Sequence, residues 1–321
     1  MENKRKIMVT DGKKERVDVY IKSASGLSRG QAQKLIDAGN VFLNGKAVVN
    51  YHTKIKGGDE LIYTLQLPEP FELKPADIDI NILYEDGDII VINKHAGLVV
   101  HPAPGHDDDT LVNALLGKHI KSRDFNGAPL RPGVVHRLDK DTSGVMVVAK
   151  SEKMRLSLSA LFKKKDVKKI YNCLVHGRIE SEGKLSTMID RDSRDRKKFT
   201  ARSLGGKEAQ TVFKPLENFY NTTFLEVKIL TGRTHQIRVH MNYMKHEVLG
   251  DPVYGDKNKD NQLVEYLGYD RKSADDLLPR QMLHARELEF VNPLTGKLLK
   301  FEAELPEDFG KVLGMLRKKQ G

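Results

Sequence analysis

Along this chain, apolar positions recur at spacings of two or of three to four residues, and each change of period marks a new element. The pattern tightens first through Arg16-Val-Asp-Val-Tyr-Ile21. Leu27 to Ala38 then places Ala32, Leu35 and Ile36 on one helical face, with Ser28 as N-cap and Gly39 as the stop. The outward face of that helix offers Arg29, Gln33 and Lys34. Short strands from Val41 and from Lys46 flank Asn44-Gly45, a pair suited to a tight hairpin turn. Leu67 to Pro75 follows with three prolines, which favour an extended, semi-rigid connection.

Beyond it, Ile82–Tyr84 and Ile89–Ile92 around Glu85-Asp-Gly87 predict a hairpin. Thr110 to Leu116 reads as a short helix, and Ser151 to Phe162 as a longer one carrying Leu156, Leu158 and Leu161. Val145 to Ala149 is an apolar, β-branched run of the kind buried on both faces. Strands are expected around Tyr171, over Thr223–Leu230 and over Leu283–Phe290, and Thr231 to His240 reads as a turn opening a helix. Residues 185–203 hold a charged loop, Gly250–Gly255 a turn, and 256–280 a polar excursion on the surface. A helix from Pro306 turns Phe309, Val312, Leu313 and Leu316 inward. The organisation expected is a flexible tail (1–14), a small module (15–65), a proline-containing linker (66–78) and one large α+β domain (79–321).

Charge adds a partner to this picture. Lys and Arg number 54 against 44 Asp and Glu, a net charge of +10, which suits a polyanion and nucleic acid before others. The single cysteine, Cys173, rules out an internal disulfide and a cysteine-based zinc site. No apolar run reaches membrane-spanning length and no signal-like segment follows the first residues, so a cytoplasmic location is expected.

The candidate chemistry lies just before the buried run, in Gly133-Val-Val-His-Arg-Leu-Asp-Lys-Asp-Thr-Ser-Gly144. A strand buried there would hold this loop in place, and loops on rigid scaffolds are where catalytic groups sit. Asp139 and Asp141 stand among His136, Arg137 and Lys140, and nearby cations favour the ionised carboxylate. Such a carboxylate can act as nucleophile or base. A locally hydrogen-bonded acidic turn is the plainer alternative.

His136-Arg-Leu-Asp-Lys-Asp-Thr-Ser-Gly144 resembles the signature of the RluA-type pseudouridine synthases, and the likeness runs from Arg16 to Leu316. It includes Lys169-Ile-Tyr171 and Thr231-Gly-Arg-Thr-His-Gln-Ile-Arg-Val-His240. Leu98-Val-Val-His-Pro102 and Gly250-Asp-Pro-Val-Tyr-Gly255 bring it nearest to the RluD-like branch, with residues 15–65 similar to an S4 RNA-binding module. His95 stands where the family usually has proline, and Phe199 where methionine is more usual.

The resemblance implies a large, mainly antiparallel mixed sheet with flanking helices, and conversion of uridine in folded RNA to pseudouridine without cofactor or metal. It implies Asp139 as catalytic carboxylate, paired by Arg238, with Tyr171 against the target base. Whether Asp139 attacks the sugar or removes a sugar proton stays open at this point. Arg137 is expected to fill the space of the flipped uridine, with His136, Arg191, Arg233 and Ile237 around the substrate. Arg29, Gln33, Lys34, Lys46, Lys168 and Lys169 are expected to contact RNA. The expected substrate is 23S rRNA of the large ribosomal subunit, with tRNA as the alternative, and the expected state a monomer. Asp141-Thr-Ser-Gly144 also resembles an aspartic protease motif, but no second copy supplies the partner carboxylate such enzymes need. A non-catalytic RNA-binding or ribosome-assembly protein is the stronger rival, yet it would not need Asp139, Tyr171 and Arg238 together. His235 and His240 lack a third ligand at metal-binding spacing, so no metal site is expected.

Overall fold

A computed structural model describes residues 2–10, 14–66, 73–103, 105–116, 118–120, 132–195 and 198–320. The chain divides into two compact units, Met1–Glu72 and Leu73–Gly321.

The first unit contains β1 (Glu2–Met8), β2 (Glu15–Arg16), α1 (Val17–Ser25), α2 (Arg29–Asp37), β3 (Val41–Leu43), β4 (Lys46–Ala47), β5 (Lys54–Ile55) and β6 (Glu60–Gln66). Four strands form a sheet in the order β1-β6-β3-β4, and α1 and α2 close its core through Val17, Ile21, Ala32 and Ile36 against Val41, Leu61 and Tyr63. Ser28 caps α2 in a reciprocal capping box with Gln31. Two expectations are corrected here. Residues 2–8 are no flexible tail but pair antiparallel with β6, as an edge strand held by backbone bonds. Gln33 does not stand free on the outward face of α2. Its amide donates to the buried Asp18 at 2.8 Å, as does Arg29 at 2.9 Å. The proline-rich residues 67–72 lie outside the described residues.

The second unit runs through β7 (Asn81–Glu85), β8 (Ile89–Lys94), α3 (Leu111–Leu115), β9 (Ser143–Ala149), α4 (Glu152–Lys164), β10 (Lys168–His176), β11 (Gly183–Arg191) and β12 (Phe199–Arg202). It continues with β13 (Lys207–Asn218), β14 (Thr222–Ile229), α5 (Gln236–Tyr243), α6 (Lys257–Tyr266), α7 (Ala274–Leu277), β15 (Leu283–Val291), β16 (Leu298–Glu302) and α8 (Glu307–Gln320). The ten strands form one sheet in the order β12-β11-β13-β14-β10-β15-β9-β8-β7, with β16 on β15. All pairings are antiparallel except β9 with β15. Among the described residues no helix is long and apolar enough to cross a membrane.

Every residue of β9 is buried. Val145, Val147 and Ala149 pack with Met154 and Leu158 of α4, while Met146 and Val148 point into the larger core on the other face. Glycines bound the loop that leads into it. A Cβ on Gly144 (φ 118°) would lie 2.1 Å from the Ala285 carbonyl oxygen, and one on Gly133 (φ 72°) 2.1 Å from that of Ala149. The close parallel approach of β9 to β15 therefore requires glycine at 144.

The charged loop expected within 185–203 turns β11 into β12, and the two strands pair as a hairpin. One further expectation differs: residues 256–280 are no surface excursion but fold into α6 and α7, and bury Leu263, Val264, Leu277 and Leu278 against α8. In α4, Leu158 is buried and Leu156 is exposed.

Candidate active site

The loop before β9, the middle of β10 and the first turns of α5 converge on a cleft of about 490 Å³. Its lining includes His136, Arg137, Asp139, Phe162, Lys169, Tyr171, Arg233, His235, Ile237 and Arg238. Asp139, Tyr171 and Arg238, far apart in sequence, are thus brought together.

Arg238 is the best-held of the three. Its Nε and Nη2 donate to Oδ2 and Oδ1 of Asp251 at 2.6 and 2.7 Å, a bidentate pair that fixes the guanidinium plane. Asp251 is itself locked by the backbone N–H groups of Val253 and Tyr254. With that plane fixed, Nη1 donates to Oδ2 of Asp139 at 3.0 Å. Burial opposes the charge on Arg238, but Asp251 and Asp139 more than offset this and raise its pKa.

The loop carrying Asp139 is gripped from behind by two buried basic side chains. Lys94 donates from Nζ to the carbonyls of Lys140, Leu98 and His95 at 2.8 to 2.9 Å. Burial pulls its pKa down to about 7, against the opposing pull of Asp141 and Asp139. Arg280 donates from Nη1 to the carbonyl of Asp141 at 3.1 Å, while Asp308 accepts from its Nε and Nη2. Adjacent carbonyls of the loop therefore end on separate side chains.

Tyr171 is 8% exposed and lies where the β10–β15 register shifts, with Ile170 opposite Glu287 and Tyr171 opposite Ala285. A bulge of this kind re-aims a side chain. Burial, and then the charge of Asp139, push the phenol pKa up, so the hydroxyl keeps its proton.

The other expected residues divide. Arg137 is exposed and lines the cleft, as do Ile237 and Arg233, whose Nε donates to the Glu208 carbonyl. His136 lines it too, but its Nε2 accepts the N–H of Val147 at 3.1 Å and its ring stacks on Phe162. Burial pushes its pKa down to about 3. Its nitrogen thus serves β9. Arg191 is not among the cleft-lining residues; it lies 5.4 Å from the ring of Phe199. Lys169 is buried at the cleft wall, 5.7 Å from the Phe162 ring, whereas Lys168 pairs with Glu287 at 2.7 Å. Lys34 and Lys46 are exposed.

Sequence reasoning missed Asp251, Lys94 and Arg280, and weighed His235 only as a metal ligand. Asp251 lay in a segment read as a turn, and nothing in its spacing points to Arg238. His240 is fully buried between the hydroxyls of Thr211 and Thr187, at 2.8 and 3.0 Å. No group of three or more His, Cys, Asp or Glu among the described residues is placed to hold a metal ion.

Comparison with known proteins gives this arrangement its context. Residues 88–243 match the RNA pseudouridylate synthase family, and residues 15–61 the S4 domain. An uncharacterized RNA pseudouridine synthase of Bacillus subtilis (strain 168) is 41% identical over 309 residues, which is 95% of either chain. A ribosomal large subunit pseudouridine synthase D of Pseudomonas aeruginosa is 41% identical over 296 residues, 91% of this chain and 88% of that one. Its Zymomonas mobilis counterpart is 39% identical over 293 residues, 90% of each. Among solved structures, human RNA pseudouridylate synthase domain containing 4 is similar with a TM-score of 0.57 and 28% identity, over 74% of this chain and 93% of that one. With likeness along nearly its whole length and the loop, tyrosine and arginine in one cleft, the chain belongs to the RluA-type RNA pseudouridine synthases and carries an S4 domain.

Proposed function

We propose that this enzyme isomerises specific uridines of 23S rRNA in the large ribosomal subunit, in the cytoplasm, as a monomer and without cofactor, with Asp139 as its catalytic carboxylate. The observation that carries this reading is the ion pair of Asp139 with Arg238, itself fixed by Asp251, in a cleft rimmed by Arg137, Lys163, Lys165 and Arg233. The names of the Pseudomonas and Zymomonas relatives support the large-subunit substrate.

In this reading RNA phosphates meet the rim cations, which position the strand without reading its sequence. The target nucleotide leaves its stack, at a cost of a few kcal/mol, and Arg137 stacks in the space it vacates. Arg238 occupies Oδ2 of Asp139, leaving Oδ1 to act at the sugar. The N1–C1′ bond breaks, the uracil turns, C5 bonds to C1′, and the C5 proton is lost while N1 gains one. Tyr171, protonated and buried against the base, holds the uracil as it turns.

The test is pseudouridine mapping of 23S rRNA and tRNA in cells lacking the protein, complemented with wild type or with Asp139→Asn. Sites in 23S rRNA that vanish and return only with wild type are expected. Sites that vanish from tRNA alone would move the substrate there, and full restoration by Asp139→Asn would remove the carboxylate from the chemistry.

A further inference from the structure

His235 holds an uncommon backbone conformation for a residue other than glycine. It is the N-cap of α5, yet sits at φ 55°, ψ 21°, and its side chain makes no capping bond. An N-cap ordinarily has extended backbone, and few residues other than glycine adopt the left-handed region. Strain of this kind collects where a side chain has to be aimed. Here it sets the imidazole edge-to-ring against Phe199 and Tyr254. Nδ1 lies 2.8 Å from Tyr254 Oη, and Nε2 3.9 Å from Oδ1 of Asp139.

These contacts favour one placement of the imidazole proton. Tyr254 Oη accepts the backbone N–H of Phe199 at 2.8 Å. Burial pushes that phenol up to about 12, so it keeps its own hydrogen. Among the described residues, the acceptor in reach of that hydrogen is His235 Nδ1. Nδ1 therefore accepts and Nε2 bears the hydrogen. Burial lowers the pKa of His235, so the ring is neutral. A neutral N–H thus stands beside the one Asp139 oxygen that Arg238 does not hold, at a distance too long for a hydrogen bond between them.

We infer that His235 is a further catalytic residue, whose Nε2–H donates a hydrogen bond to the O2 carbonyl of the uracil as the N1–C1′ bond breaks. This rests on Asp139 acting at the sugar. O2 is borne on a carbon bonded to N1, so it is the base oxygen nearest C1′, whereas O4 lies across the ring. A donor within 4 Å of the acting carboxylate oxygen is therefore next to O2. When N1–C1′ breaks, the bonding pair leaves with the base, and its negative charge is shared by N1, O2 and O4. A preorganised donor stabilises that charge with no proton transferred. The charge is discharged when C5 bonds to C1′, the C5 proton leaves and N1 is protonated.

The test uses the full-length protein and an rRNA fragment containing its mapped uridine, made with uridine or with 2-thiouridine at that position. His235→Asn tolerates left-handed backbone but is too short to place a donor at Nε2, whereas the amide of His235→Gln reaches it. Single-turnover rates are expected to fall roughly 100- to 1000-fold in His235→Asn, with RNA affinity close to wild type, and to recover in part in His235→Gln. Tyr254→Phe, which releases the tautomer, is expected to slow the same step by less, and it keeps the test open should His235→Asn fail to fold. The 2-thio substitution is expected to slow wild type but to slow His235→Asn no further. Equal slowing of both enzymes, or His235→Asn at wild-type rate, overturns the inference. If that happens while Asp139→Asn is inert, the reading of Asp139 stands alone. An active Asp139→Asn overturns both.

Discussion

Asp251 shows how much of the site depends on a residue behind the cleft wall. Its side chain is completely buried, and it receives two bonds from Arg238 and two from the backbone. Removing one partner of a buried ion pair leaves the other charged and unmatched, which costs about 3–5 kcal/mol. Asp251→Asn keeps the shape and removes the charge, so the guanidinium loses what fixes its plane and Nη1 drifts from Asp139. A charge-assisted hydrogen bond of about 1.5–3 kcal/mol, lost in the transition state, slows turnover roughly 10- to 100-fold. Asp251→Asn should show that loss in kcat with little change in KM, together with a lower melting temperature. An enzyme that melts earlier yet turns over at the wild-type rate would mean Arg238 needs no such guide.

At the scale of elements, α5 is tied to the sheet by His240, which bridges Thr187 of β11 and Thr211 of β13. Burial pushes its pKa down from 6.5 to about 4. The unfolded chain therefore binds a proton that the folded one refuses. This contribution is intact above about 6.5 and is lost as the pH falls toward about 4, for a total of roughly 3 kcal/mol. Melting temperature should fall across that window, and His240→Asn, less stable throughout, should fall less steeply. Parallel slopes would place the acid sensitivity elsewhere, in His284 or His136, whose pKa values are also lowered by burial. Elements of this kind were legible wherever period and punctuation agreed. The run Val145–Ala149, the Asn44-Gly45 turn and the final helix all state their structure locally. That Asp139, Tyr171 and Arg238 share one cleft was expected only from the resemblance of their motifs to a known family. What stayed hidden depends on pairing across the chain. Edge strand β1 is mostly polar and is held by backbone pairing with β6, which no side-chain period announces, and α6 was read as surface because Leu263 and Val264 are few among polar neighbours. The β10–β15 bulge that aims Tyr171 has no local signature at all.

For the whole molecule, the net charge of +10 includes cations at the rim of the cleft and on the S4 domain. The two make different demands. On the proposed reading, rim cations would meet the strand being turned over, whereas cations on the S4 domain would add affinity for the rest of the RNA. Lys34 and Lys46 are the clean probes of the second role, because both are exposed. Arg29 and Gln33 are not, since both hold the buried Asp18, and their loss would disturb the fold as well as any contact. Each lysine that neutralises a phosphate releases condensed counterions, so losing it lowers the slope of log affinity against log salt by about 0.7–0.9. Lys34→Ala with Lys46→Ala should therefore weaken rRNA binding, flatten that slope by roughly 1.5, and leave kcat at saturating RNA unchanged. Arg137→Ala should do the reverse, with kcat falling while the slope changes by no more than one contact. Titrations at several salt concentrations, with turnover measured on the same RNA, separate the two. If the double lysine variant lowers kcat and leaves the slope untouched, the S4 cations act through the fold and not through phosphate.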